Sequence, residues 1–287
     1  MDIHIRPATP ADIEICGQVI FDAFQNLGDR YGFASDFSTL AFSIEIAQFL
    51  IHDSQVYSIV AEQGGRVVGV NFLDACNAIY AVGPIAVAPD CQGQGVGRLL
   101  MNTVLDRGKD AIGIRLTQDT VNASTLSLYP ALGFDIKELL VLVTGKPKSP
   151  PHTDIEVREL TPNDFDACAQ LCQQVYGFDR TAELKRGVEL NFFKPLVALR
   201  NHRITAYAAA FEVWGHGVAA TEADMQALIL AAGDRASKPL TFILPTAPGS
   251  FYRWCLLEGL RIIKPITLMA IGVYHTPHGL YFPSVAY

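Results

Sequence analysis

The run from Gly83 to Gly97, G-P-I-A-V-A-P-D-C-Q-G-Q-G-V-G, decides how this chain is read. Ile85, Ala86, Val87 and Ala88 form a short apolar β-type run. Pro89 ends it, because proline has no amide proton to give a ladder. Gly93, Gly95 and Gly97 follow at every second position, interleaved with Gln92, Gln94, Val96 and Arg98. Val96, Leu99, Leu100, Thr103 and Val104 then recur with helical spacing. The order is strand, glycine loop, helix. Such a turn gathers free main-chain amides and the positive end of a helix dipole at one place, which suits a phosphate or pyrophosphate. Glycine lets the anion approach the backbone with no β-carbon in the way.

Three ligand readings compete for the loop. A dinucleotide turn needs G-x-G-x-x-G, and Arg98 stands where the third glycine belongs, although Asp119 offers an acid further on. A nucleoside-triphosphate loop needs G-K-S or G-K-T, which is missing. An acyl-CoA pyrophosphate loop of the form Q/R-x-x-G-x-G/A is matched by Gln92, Gly95 and Gly97. The loop alone also leaves open an ordinary strand-to-helix turn.

Downstream, residues 122 to 134 read N-A-S-T-L-S-L-Y-P-A-L-G-F. With the Q-G-Q-G-V-G loop before it, this segment resembles the GNAT superfamily of acyl-CoA-dependent N-acyltransferases, over roughly residues 1 to 146. The resemblance implies an α+β fold with a mixed, mostly antiparallel sheet flanked by helices. It implies acetyl transfer from acetyl-CoA, as co-substrate, to a primary amine of a small molecule. The backbone of Ile85, Ala86 and Val87 would take the pantetheine and thioester, and the amides from Gln92 to Arg98 the pyrophosphate. Asn122 would contact CoA, and Tyr129 would act as general acid toward the leaving thiolate. Tyr31 and Phe33, between the first two helices, are candidates for the acceptor side, as is Asp74. No glutamate lies in the strand from Ile79 to Ala88, so the general base is left among Asp74, Tyr80, Asp119 and a water chain. Cys91, beside a helix start, reads as loop filler rather than as an acyl carrier. The alternative from another class is a non-catalytic acyl-CoA-binding sensor or adaptor.

Composition narrows the field. The 287 residues are enough for two domains. Half are apolar and 18% charged, so core material is ample. Up to Lys146 there are 9 Lys+Arg against 16 Asp+Glu, and beyond it 13 against 13, so the net charge of −7 sits in the first part. An acidic first half disfavours nucleic acid and favours a cationic amine. Met1-Asp2-Ile3-His4 has neither a basic nor an apolar leader pattern, and no apolar run approaches a membrane span, so a cytoplasmic protein is expected. Cys16, Cys76, Cys91, Cys168, Cys172 and Cys255 are scattered through apolar patterns and read as buried thiols, and no metal site is expected.

Taken in order, Ile3 and Ile5 alternate as in a strand, and Thr9-Pro10 starts a helix with its stripe at Ile13, Val19, Ile20 and Phe24. Residues 26 to 36 read as a loop, and a second helix covers Thr39 to Ile51. Residues 55 to 62 and 66 to 73 read as a hairpin about Gly64-Gly65. The strand from Ile79 to Ala88 is interrupted at Gly83-Pro84, as a ligand-facing bulge would be. A buried strand covers Ala111 to Gln118, a helix Ser124 to Leu132, and a closing strand Phe134 to Val143. Residues 145 to 151, G-K-P-K-S-P-P, read as a solvated linker.

Beyond the linker the opening recurs. Ile155-Glu-Val-Arg158 echoes Ile3-His-Ile-Arg6, and Thr161, Pro162, Asp164, Cys168 and Gln170 repeat Thr9, Pro10, Asp12, Cys16 and Gln18 at a constant offset of 152. The second half resembles the degenerate GNAT-like domain of tandem acyltransferases. Its equivalent of the glycine loop, Thr221-Glu-Ala-Asp224, puts acids on the helix start and so repels an anion. The expected organisation is a catalytic domain (1–146), a linker (147–153) and a degenerate partner domain (154–287). The partner could wall the acceptor pocket, dimerise or bind a regulator.

Overall fold

Alternating Ile3 and Ile5 build β1 (Ile3–Pro7), and the Thr9-Pro10 start makes a 3-10 turn that feeds α1 (Ile13–Tyr31). The computed structural model describes residues 3–285. Met1 and Asp2, used in the leader reading, and Ala286 and Tyr287 lie outside the described residues. α1 absorbs residues 26 to 31, which the sequence pattern assigns to a loop, because Leu27 continues the stripe from Ile20 and Phe24. It ends at Gly32, whose φ of +78° only glycine adopts without strain. α2 (Leu40–His52) is capped by Thr39, whose hydroxyl accepts from the Phe42 amide at 3.2 Å. β2 (Val56–Gln63) and β3 (Arg66–Asp74) form the expected hairpin.

The interruption at Gly83-Pro84 splits the next strand into β4 (Ile79–Val82) and β5 (Ala86–Val87). α3 (Val96–Arg107) and β6 (Gly113–Asp119) follow. Both pieces pair with β3, yet only β4 pairs with β6, in parallel over Ile79↔Gly113 to Ala81↔Arg115. Beyond that pairing β5 and the end of β6 are unbridged, and a cleft opens between them. α4 (Ala123–Leu128) is shorter than its sequence pattern, because Pro130 converts the rest into a 3-10 turn ending at Gly133. β7 (Asp135–Gly145) closes the first half.

The second half runs β8 (Glu156–Glu159), α5 (Phe165–Tyr176), α6 (Thr181–Glu189), β9 (Leu196–Arg200), β10 (Arg203–Ala208), β11 (Gly217–Ala219), α7 (Glu222–Arg235), β12 (Leu240–Pro245), α8 (Gly249–Leu257), β13 (Arg261–Gly272) and β14 (Leu280–Phe282). The repeat is physical as well as textual. Asp12 accepts from both terminal nitrogens of Arg6 at 2.8 Å and from the amide and hydroxyl of Thr9 at 2.8 Å. Asp164 accepts from Arg158 at 2.7 and 2.8 Å and from Thr161 at 2.7 and 2.8 Å.

The described strands form two sheets, one of nine with the path β1-β2-β3-β4-β6-β13-β7-β12 and β5 beside β3, and one of five ordered β14-β11-β10-β9-β8. Apart from β4–β6 the recorded pairings are antiparallel. The fold is thus mixed α+β with helices against the sheets. β13, from the second half, threads between β6 and β7 of the first, with Leu268↔Thr117 on one side and Ile266↔Leu140 on the other. β7 also carries β12 on its far edge. Ladders therefore join strands from either side of the proline-rich stretch. It is also tied down: the amides of Lys148 and Ser149 donate to Glu258 at 3.1 and 2.9 Å.

The two Arg–Asp caps give a stability expectation. Arg6 above all, then Thr9, holds the Asp12 carboxyl below the ordinary range, and Arg158 with Thr161 does the same for Asp164. A carboxyl depressed in the folded state adds stability that is present above its unfolded pKa of about 3.9 and fades as pH falls toward the depressed value. Asp12→Asn and Asp164→Asn each cost about 1–2 kcal/mol at pH 7 by urea unfolding. The cost shrinks below about pH 4.

Candidate active site

The glycine loop is pinned by its side chains and leaves its main chain open. Gln92 Nε2 donates to the Val87 carbonyl at 3.0 Å and Gln94 Nε2 to the Asp90 carbonyl at 3.0 Å. Arg66 grips Asp90 with two bonds of 2.7 and 2.9 Å. Gly93 and Gly95 take φ of +75° and +87°, and a β-carbon at either would meet nothing within 4 Å. Gly95 caps α3 without any side-chain bond. Among the described residues, nothing accepts from the amides of residues 92 to 98. These donors stand at the positive end of α3 along the cavity, where a helix start favours an anion.

The equivalent point in the second half is closed. Thr221 caps α7, accepting from the Asp224 amide at 3.3 Å, and Asp224 is fully buried on Arg200 and the Thr221 hydroxyl. Its carboxylate occupies the end of the dipole that an anion would need.

A cavity of about 720 Å³ opens from the loop. Its first wall is the split strand, with Val82 through Val87, continued by Gln92, Gly93, Gly95, Gly97 and Arg98. Its second is Leu116 through Asp119 of β6, with Asn122, Leu128 and Tyr129 around α4. A β-carbon at Gly97 would stand 3.8 Å from Leu128 Cδ2 and 3.9 Å from Val87 Cγ2, so the channel is narrow there. Asn122 lines the cavity while its side chain caps α4 through the Thr125 amide at 3.4 Å. Tyr129 ends α4, buried edge-on against Phe134, and its hydroxyl has no partner among the described residues. Burial pushes its phenol above the usual tyrosine range, so it stays protonated through neutral pH. Gln94 points into the loop, and Val96 is core packing beneath it.

The acceptor-side candidates divide. Asp74 lies outside the large cavity, bound to Arg186 and to the Cys76 amide, beside a pocket of about 10 Å³ that holds one water at most. Tyr31 is exposed and stacked with Phe33 at 6.4 Å, and neither lines the cavity. Phe33 covers the Lys264 ammonium at 4.8 Å. Tyr80 packs beside the core. Cys91 is buried, its thiol 3.8 Å from Gln63 Oε1. The remaining cysteines are free thiols, Cys76 being half-buried, and burial pushes Cys16 up to about 12 and Cys172 to about 11.

Sequence reasoning misses the far wall. α1 and the segment after it supply Phe24, Leu27, Arg30, Asp36 and Phe37, and the second half supplies Trp214, Ile266 and Val285. Lys264 of β13 is buried between Asp36 Oδ2 at 2.8 Å and Asp119 Oδ1 at 2.7 Å. Burial raises the Asp119 carboxyl, Lys264 opposes the shift, and Asp36 adds to it. A lone lysine inside the apolar run I-I-K-P-I is the one signal that marked this position.

Comparison with known proteins bears on the whole chain. Residues 21–134 match the acetyltransferase (GNAT) family model. A search of curated proteins found no match. Among solved structures, a Pyrococcus horikoshii protein provisionally described as an acetyltransferase superposes with a TM-score of 0.73 at 18% identity, over 97% of this chain and 94% of that one. A GCN5-related N-acetyltransferase from Sphaerobacter thermophilus gives 0.63 at 15% identity, over 96% and 98%. At these identities the likeness is one of fold. No helix among the described residues is long and apolar enough to cross a membrane, and none of their side chains cluster as metal ligands.

Lys264 sets a test of the far wall. Lys264→Met leaves Asp36 and Asp119 facing each other half-desolvated, at a cost of about 3 kcal/mol at neutral pH. One carboxylate then takes up a proton, so the deficit shrinks as the pH is lowered to about 5. Urea unfolding at both pH values reads the difference.

Proposed function

We propose that the chain, whose residues 21–134 match the acetyltransferase (GNAT) family model, transfers acetyl from acetyl-CoA to a primary amine of a small molecule by direct attack. The open amides of residues 92 to 98 at the start of α3, facing a cavity of about 720 Å³, carry the reading. They take the pyrophosphate. The backbone of Ile85, Ala86 and Val87, on the strand that parts from β6, runs along the pantetheine arm and the thioester. Asn122 borders the same channel. The proposed organisation is a catalytic unit in residues 1–146, a connector in 147–153, and a partner unit in 154–287 without an anion cradle of its own.

In this mechanism the two reactants meet in one cleft, which removes most of the entropic barrier to a bimolecular reaction. The amine nitrogen bonds to the thioester carbonyl carbon, and the carbon–sulfur bond then breaks. Tyr129, protonated and partnerless, gives its proton to the departing thiolate. A phenol kept neutral by burial is the right form for that step.

Calorimetric titration with acetyl-CoA and thiol release over an amine panel test the reading. Gly95→Asp, which puts a carboxylate at the start of α3, lowers acetyl-CoA affinity at least about tenfold. Tyr129→Phe keeps the affinity and lowers kcat by about a hundredfold. Tight acetyl-CoA binding with no amine yielding free CoA turns the assignment to a non-catalytic acyl-CoA sensor. Stabilisation by NAD or ATP in place of CoA overturns the cofactor assignment altogether.

A further inference from the structure

Resting on the acyltransferase reading, we infer that the acceptor is a singly charged amine carried on an aromatic or other apolar body, bound with its ammonium on Asp119, which takes the amine's proton. The far wall of the cavity sets the body. Phe24, Leu27, Phe37, Trp214, Ile266 and Val285 line it, from both halves of the chain. Phe37 meets Phe24 edge-on at 4.7 Å and Trp214 at 6.0 Å, which makes a continuous aromatic face. Such a surface rewards burial of apolar area.

Charge sets the head group. Asp36 and Asp119 share the single ammonium of Lys264, so the cluster carries one net negative charge in a largely buried wall. One ammonium balances it. The further charges of a polyamine have no carboxylate left in the lining, where the other charged side chains are Arg30 and Arg98. An anionic or uncharged acceptor leaves the wall unbalanced.

Geometry chooses the base. Of the candidates offered by the sequence, Asp74 is closed on Arg186 and Tyr80 packs with the core, while Asp119 lines the cavity. Lys264 holds Asp119 Oδ1, and Oδ2 has no partner among the described residues. Asp119 ends β6, the strand that forms the cleft with the Ile85–Val87 segment. The charged groups facing it are Lys264 from β13 and Asp36 from the segment between α1 and α2. Lys264 is thus a positioning residue supplied by the second half.

The proton account closes. The bound ammonium gives one proton to Asp119 and becomes nucleophilic. Its nitrogen bonds to the acetyl carbon and the carbon–sulfur bond breaks. The second nitrogen proton is lost as the amide forms, and sulfur receives a proton from Tyr129, which is replenished by that loss. Asp119 releases its proton to water. The net products are the amide, free CoA and one proton.

The test uses the full chain, with acetyl-CoA affinity measured on every variant so that loss of the cofactor site is seen separately. Phenethylamine and tryptamine are expected to exceed spermidine and glucosamine in kcat/KM by at least about tenfold. Asp119→Asn lowers kcat/KM by about 10²–10⁴-fold with acetyl-CoA affinity unchanged, and it flattens the acid limb of the pH–rate profile. Asp119→Glu restores part of the rate, and Asp36→Asn raises KM with little change in kcat. The inference fails if spermidine or glucosamine is the better acceptor, or if Asp119→Asn stays within twofold of the parent at every pH. If acetyl-CoA binds and no amine reacts, the acyltransferase reading falls, and this inference falls with it.

Discussion

The parting of β5 from β6 is the constraint on which the rest of this structure depends. Two strands of one sheet stay together only while their main chains exchange hydrogen bonds. Gly83 and Pro84 break that exchange, since the first takes a φ of +134° and the second has no amide to give. β5 keeps its bonds to β3 and makes none to β6, so the sheet opens in its middle rather than at an edge. A cleft in the middle of a sheet is walled on both sides by rigid strands. Such walls need little ordering when a ligand binds between them.

A gap of this kind weakens a sheet unless its far side is reinforced, and here the second half of the chain supplies the reinforcement. β13 pairs with both β6 and β7 along most of its length. The same strand delivers Lys264 to Asp36 and Asp119, so one element both braces the opening and places a charge in it. In the second half, Asp224 and Thr221 satisfy the start of α7. That half contributes Trp214, Ile266 and Val285 to the wall of the large cavity. The two Arg–Thr–Asp caps repeat one another in hydrogen bonds of near-identical length.

Much of the site was legible in the sequence because it is local. The glycine loop, its strand and its helix are contiguous, and their chemistry follows from free amides and absent β-carbons. Tyr129 and Asn122 were found by resemblance, and both line the same cavity as Gly95 and Gly97. Asp74 read plausibly as a loop acid at the end of a strand, but Arg186, more than a hundred residues away, turns it from the cavity. Tyr31 belongs to a helix rather than to a binding loop, because the apolar stripe of α1 runs on past Phe24.

By itself the sequence determined what short-range chemistry determines: the strand–glycine loop–helix turn, the strand break, the repeated caps and the acid-capped start of α7. The tertiary structure alone decided the far wall of the cavity and the order of strands in the large sheet. β13 lies well over a hundred residues from β6 in the chain, and no periodicity announces which edge a distant strand will join. Lys264 shows the reason in miniature. Along the chain it is a lysine misplaced among isoleucines, and it becomes intelligible only when folding sets two carboxylates from the other half within hydrogen-bond reach.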